Sequence, residues 1–158
     1  MIRVSIPGRG QIEIEHLALD INGTLTLDGA LLSGVEEALE RLSDSVTVTL
    51  VTCDTLGTGA AIARQLGAEL RRVDAKAGRE AERKAEIVWD LGAERTAAIG
   101  NGGSDHLMLA ESALGIAVLG PEGLAAAALR GADVICASIQ DALGLLATPK
   151  RLISTLRT

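Results

Sequence analysis

Asp20 ends an apolar run, His16-Leu17-Ala18-Leu19, and is followed at once by the turn Ile21-Asn22-Gly23-Thr24-Leu25-Thr26. A carboxylate leaving the C-terminal end of a buried strand stands where open α/β sheets place their reactive groups, and a nearby glycine lets the backbone close around a phosphate. Asp20 is therefore a candidate nucleophile. Thr52 ends the β-branched run 46–51, and its hydroxyl is a donor for a phosphate oxygen. Lys84 lies near the front of a helical segment, where an ammonium neutralises charge on a phosphoryl group and on the nucleophile. The turn Gly100-Asn101-Gly102-Gly103-Ser104-Asp105 leaves a strand and enters a helix, and the side-chain oxygens of Asn101 and Asp105 suit a hard cation such as Mg2+.

These residues need a scaffold that gathers strand ends. Strand-like and helix-like segments alternate along the chain, the pattern of βα units on a parallel sheet. The fold expected is α/β: a three-layer, doubly wound, mainly parallel sheet. Segments 1–6 and 11–15 flank the turn-rich Pro7-Gly8-Arg9-Gly10, so an N-terminal hairpin is added to the sheet. Ser33 reads as the N-cap of a helix running to Leu42, and 46–51 as the second core strand. Further helices are expected at 57–66, through 84–91 with Gly92 as the stop, and at 105–112 and 123–129. Strands are expected at 70–73, 96–99, 115–118 and 133–136, with C-terminal helices broken near Pro149.

At 158 residues the chain reads as one domain, 1–158, with 1–15 as the hairpin extension. The core must be aliphatic, because Phe and Tyr are absent and Trp89 is the one aromatic. A net charge of −6 argues against a nucleic-acid or anionic-membrane surface. Cys53 and Cys136 lack metal spacing and fit a reduced, cytoplasmic setting, and no run of apolar residues suggests a signal or membrane segment. The aliphatic composition and the hairpin make a homo-oligomer an open expectation.

Taken together, these motifs resemble those of the haloacid dehalogenase superfamily, and more narrowly the phosphorylation domain of P-type ATPases. The stretch from Asp20 to Thr26 is similar to the ATPase phosphorylation motif, Thr52-Cys53-Asp54 to the Thr-Gly-Asp element, and 100–105 to the Gly-Asp-Gly-x-Asn-Asp element; Lys84 stands at the third-motif lysine. The resemblance implies covalent phosphoryl transfer with Mg2+, acting on a small phosphorylated substrate. It implies Asp20, Asn22, Thr52 and Lys84 as the catalytic set. Gly23, Thr24, Thr52, Cys53 and Lys84 would hold phosphate, and Asp20, Asn22, Asn101 and Asp105 the metal. Lys76 is the rival for the lysine role; Asp54 is expected to cap the following helix, and His16 and His106 to be structural or solvated.

Two residues depart from the pattern. Superfamily phosphatases usually carry an acid–base aspartate two residues after the nucleophile; here Asn22 has no titratable proton, so slow turnover and good leaving groups are expected. Asn101 stands at the usual first metal aspartate, which weakens Mg2+ binding. An impaired phosphate- or metal-binding regulatory or oligomeric module is the competing reading. Only residues 27–51 separate the first motif from Thr52, too few for an inserted nucleotide-binding domain, and the span from Thr52 to Lys84 has no room for a cap.

Overall fold

The computed structural model describes residues 1–74 and 78–158. Strands β1 (Ile2–Ile6) and β2 (Gly10–Ile14) form an antiparallel hairpin, with Ile2 opposite Ile14 and Ile6 opposite Gly10. The hairpin pairs only with itself and does not extend the main sheet. Its alternating isoleucines and Val4 turn inward and join the main core, and β1 packs against the C-terminal helix.

The main sheet contains β3 (His16–Leu19), β6 (Thr47–Thr52), β7 (Glu69–Arg72), β8 (Thr96–Gly100), β9 (Leu114–Val118) and β10 (Val134–Cys136). Between β3 and β6 the chain forms a two-residue-strand hairpin, β4 (Thr26–Leu27) with β5 (Ala30–Leu31), and helix α1 (Val35–Glu40). Then α2 (Gly59–Leu66) links β6 to β7, and α3 (Glu80–Leu91) links β7 to β8. The later helices are α4 (His106–Glu111), α5 (Ala126–Gly131), α6 (Ile139–Ala147) and α7 (Pro149–Leu156), the last starting on a proline as the break near Pro149 implies.

Spatial order in the sheet is β10-β9-β8-β3-β6-β7, and every pairing is parallel. The chain starts the sheet at β3, builds outward through β6 and β7, then returns to β8 on the other side. The order therefore reverses between β3 and β8, and a doubly wound sheet opens its binding crevice at the C-terminal ends of the strands beside such a switch. Asp20 follows β3, Thr52 ends β6, and the Gly100–Asp105 turn leaves β8.

Parallel strands covered on both faces must be apolar throughout, and β8 and β9 are buried at every position. The two faces differ. One carries Leu17, Leu19, Leu50, Ile99, Ile116 and Val118 under helices α1, α2, α6 and α7. The other carries Ala18, Ala98 and Ala117 with Val51, against Val88, Met108, Leu109 and Ala128 of α3, α4 and α5. Small side chains on this second face let the helices approach closely. A Cβ on Gly115 would strike the Leu109 carbonyl oxygen, and one on Gly131 that of His106.

The expected N-cap at Ser33 is not formed. Helix α1 begins after Gly34, which is left-handed at φ 80° with no side-chain cap, and the Ser33 carbonyl instead accepts from Gln140 Nε2 at 2.7 Å. The chain returning from β5 needs a left-handed residue there, which glycine adopts without cost from a Cβ. Gly92 does end α3, at φ 92°. Among the described residues no helix is long and apolar enough to cross a membrane.

Replacing Gly115 with alanine is expected to lower the melting temperature by roughly 3–9 °C, from about 1–3 kcal/mol of overpacking. Gly103, where an added Cβ meets nothing within 4 Å, serves as the control and should change little; thermal unfolding of both variants checks the difference.

Candidate active site

Among the described residues Lys84 is the one buried basic side chain, 2% exposed. Its position follows from α3: Ala85 and Val88 hold one face of the helix on the alanine side of the sheet, and Lys84 is carried down with them. Burying an ammonium is expensive unless it is paired. Lys84 Nζ donates to Asp20 Oδ1 at 2.6 Å and to Asp105 Oδ1 at 2.7 Å. Asp105, itself fully buried, accepts on Oδ2 from the backbone N–H groups of Asn101 at 3.0 Å and Gly102 at 2.8 Å. Its carboxylate thus folds the glycine-rich turn around itself and presents its remaining oxygen to the lysine. Gly100 makes room for this, because a Cβ there would lie 2.5 Å from Asp105 Oδ2.

Asp20 Oδ2 accepts from Thr24 Oγ1 at 3.2 Å, and the same hydroxyl lies 3.0 Å from Asn101 Oδ1. Asn101 Nδ2 donates to the Gly123 carbonyl at 3.0 Å, which turns its amide oxygen toward Thr24. Thr52 Oγ1 accepts from the Asp54 N–H at 2.9 Å, leaving its own proton for another acceptor. Asn22 Nδ2 donates to Thr55 Oγ1 at 3.1 Å, whereas its Oδ1 is buried without a hydrogen-bond partner among the described residues.

A cavity of about 310 Å³ opens on this cluster, walled by Asp20, Asn22, Thr52, Cys53, Thr55, Glu80, Lys84, Gly102, Ser104 and Asp105. Gly23, Thr24 and Asn101 do not reach its walls. Gly23, at φ 79°, sits so close to its neighbours that a Cβ would come within 2.6 Å of Asn101 Nδ2 and 2.7 Å of Glu122 Oε2. A larger cavity of about 640 Å³ lies between α1, α2 and the β6–β7 edge, but it contains none of the strand-end residues. Size does not mark the chemistry here; convergent buried charge does.

Asp54 caps α2, accepting from the Gly59 N–H at 2.8 Å, and pairs with Arg72 at 3.0 Å. His106 Nδ1 lies 2.8 Å from the Gly103 carbonyl oxygen. Lys76, the rival to Lys84, lies outside the described residues. Two carboxylates near the site, Glu80 and Glu122, were not singled out by sequence reasoning. Glu80 stands in a run of charges around Arg79 and Arg83, where nothing in the pattern separates a wall residue from a solvated one.

Burial raises the Asp20 pKa to about 6; the Asp105 charge adds to this, and Lys84 opposes it without cancelling it. Burial alone would lower the Lys84 pKa, but the two carboxylates outweigh it and hold the ammonium charged well above the ordinary lysine range. The cluster therefore carries two acids against one base. A dication meets that charge deficit, and carboxylate and amide oxygens are suitable donors for Mg2+. Asp20, the orphaned Asn22 oxygen and the Asn101 amide oxygen fit such an ion. Among the described residues no group of three or more His, Cys, Asp or Glu side chains is placed to hold a metal. Cys53 remains a thiol, its pKa pushed up chiefly by burial.

No family model matches the chain. Over 86 residues, 52% of the chain and 92% of the relative, it is 38% identical to an uncharacterized protein of Methanocaldococcus jannaschii, and it belongs to that protein's family. Its backbone is similar to that of a HAD family hydrolase from Streptomyces avermitilis, with TM-score 0.69, 19% identity and 87% of each chain covered. The chain has the haloacid dehalogenase fold. A second solved structure with this fold is 3-deoxy-D-manno-octulosonate 8-phosphate phosphatase from Moraxella catarrhalis, in complex with magnesium ion, phosphate ion and KDO. The likeness there has TM-score 0.65 and 19% identity, over 91% of this chain and 94% of the phosphatase. In this haloacid dehalogenase fold the segments where a cap would be inserted hold only β4, β5 and α1 before Thr52, and α2 and β7 among the described residues after it.

The raised Asp20 pKa sets a pH dependence. In the folded state the group holds its proton up to about pH 6, but in the unfolded state only to about 3.8. Its contribution to stability is thus fully present below pH 4 and is lost as pH rises through 6, on the order of 2–3 kcal/mol in metal-free protein. Melting temperatures measured in chelator should show this slope, and Asp20→Asn should remove it. Added Mg2+ should stabilise the wild type clearly at pH 7.5 and little at pH 5, where the proton already neutralises Asp20.

Proposed function

We propose that this chain is a Mg2+-dependent phosphohydrolase or phosphotransferase that works through an aspartyl phosphate on Asp20. The observation that carries the reading is the bridge from Lys84 to Asp20 and Asp105 at the floor of a cavity of about 310 Å³, roomy enough for a phosphoryl group. Lys84 holds one oxygen of the Asp20 carboxylate and leaves the other toward Thr24, so the nucleophile is oriented before substrate arrives. Asp105 and Lys84 form a fixed pair whose geometry the turn amides enforce.

In the first half-reaction an Asp20 oxygen attacks phosphorus and the bond to the leaving-group oxygen breaks. Lys84 offsets the charge on the transferring group, and the Thr52 hydroxyl donates to one of its oxygens. Asp20, Asn22 and Asn101, with the Asp105 charge beside them, would hold Mg2+, which when bound would offset the negative charge of nucleophile and phosphoryl group. A phosphatase with the same fold was solved with magnesium and phosphate ions, which supports the choice of metal and a small phosphorylated substrate.

Asn22 limits the reaction. Its side chain has no proton to give a leaving oxygen, and assistance of that kind is typically worth about 10²–10⁴ in rate. Acyl phosphates and aryl phosphates are therefore the favoured substrates. The two amides at Asn22 and Asn101 also support a second reading, a phosphate- or metal-binding module without turnover.

The two readings separate on Asn22→Asp. For the enzyme, hydrolysis of an aryl phosphate should rise at least tenfold in Asn22→Asp and vanish in Asp20→Ala; no gain in a folded Asn22→Asp protein favours the module. Independently, Asn101→Asp restores a charged ligand and should tighten Mg2+ binding about tenfold by calorimetry. An unchanged affinity would remove Asn101 from the metal set.

A further inference from the structure

Hydrolysis of an aspartyl phosphate needs a base for the attacking water, and the usual position for it is Asn22. Among the described residues three carboxylates wall the cavity: Asp20, Asp105 and Glu80. Asp20 is the group that carries the phosphoryl. Both oxygens of Asp105 are engaged, one by Lys84 and one by two backbone N–H groups. Glu80 remains. It is the first residue of α3, one helical turn before Lys84, so the two side chains share a face, with Lys84 at the cavity floor and Glu80 nearer its half-exposed rim. Glu80 Oε2 accepts from the Gly78 N–H at 2.9 Å, which fixes the carboxylate, and Oε1 has no hydrogen-bond partner among the described residues. The Glu80 charge also reaches the opposite wall, where it adds to the effect of burial on Cys53 against the pull of Lys84.

Resting on the phosphoryl-transfer reading above, we propose that Glu80 is the general base of the dephosphorylation step. A water at the cavity mouth attacks phosphorus as its proton passes to the Glu80 carboxylate. The bond between phosphorus and the Asp20 oxygen breaks, its electron pair returns to the Asp20 carboxylate, and inorganic phosphate leaves. Glu80 then releases the proton to solvent. The carboxylate that Asn22 lacks is thus supplied from the first turn of a neighbouring helix, for the second half-reaction only. The first half-reaction keeps its dependence on a good leaving group.

The test compares wild type, Glu80→Gln and Asp20→Ala after brief incubation with acetyl phosphate and Mg2+, following the adduct by intact-mass spectrometry and phosphate release in the same samples. Gln keeps the acceptor for Gly78 and removes the base. Glu80→Gln should form the adduct at the wild-type rate and lose it about 10²-fold more slowly. Hydroxylamine, which attacks the acyl carbon without a protein base, should discharge both adducts equally. Equal spontaneous decay of the two adducts would overturn the role of Glu80 and leave the nucleophile assignment standing. Failure of Glu80→Gln to form an adduct that wild type forms would place Glu80 in the first step and also overturn the proposal. Absence of both adduct and released phosphate in wild type would overturn the phosphoryl-transfer reading itself, and the base with it.

Discussion

One buried ammonium, Lys84 Nζ, lies between two buried carboxylates at 2.6 and 2.7 Å, and much of the molecule is arranged to make that contact affordable. An unpaired charge at that depth would cost several kcal/mol, so three elements must arrive together: the end of β3 with Asp20, the turn after β8 with Asp105, and the first half of α3. The parallel sheet supplies the first two as neighbours, because the strand order reverses between β3 and β8. The turn after β8 is stabilised by the same carboxylate that meets the lysine. Loss of Lys84 would leave two buried carboxylates without their shared partner, which ties the site's geometry to the stability of the fold.

The depth of Lys84 depends on the composition of the sheet face beneath it. Ala18, Ala98 and Ala117 line the side that receives α3, α4 and α5, whereas leucine, isoleucine and valine crowd the other side. A chain without phenylalanine or tyrosine packs this way by bringing helices close to the sheet instead of filling a gap with rings. The close approaches at Gly115 and Gly131 belong to the same solution. An imbalance remains: two acids share one base, and it raises the Asp20 pKa to about 6. That is a destabilising feature of the metal-free protein, and it makes the cluster receptive to a cation.

Much of this was legible in the sequence because the informative residues sit at breaks in pattern. Asp20 follows an apolar run and precedes a glycine turn, Thr52 ends a β-branched run, and the Gly100–Asp105 turn joins a strand to a helix. Periodicity marks those strand ends, and the doubly wound fold then fixes which ends are neighbours. Strands of two residues such as β4 and β5 have no period to read, and α1 took its cap from the left-handed backbone of Gly34 in place of the Ser33 hydroxyl. Glu80 was hidden in a charge run, since its place on the cavity wall depends on which face α3 turns inward. The packing of Glu122 and Asn101 around Gly23 depends on loop contacts distant in sequence. The narrower likeness to the P-type ATPase phosphorylation domain rests on the motif residues alone.

The account stands on the identity of the nucleophile, and residue-level mapping tests it most directly. Wild-type protein is phosphorylated with acetyl phosphate and Mg2+, reduced with borohydride and digested, so that an aspartyl phosphate is read by peptide mass spectrometry as homoserine. The account predicts homoserine at position 20, dependent on Mg2+ and absent from unphosphorylated protein. Label at any other carboxylate, or phosphate turnover with no label at Asp20 under trapping conditions, would contradict it.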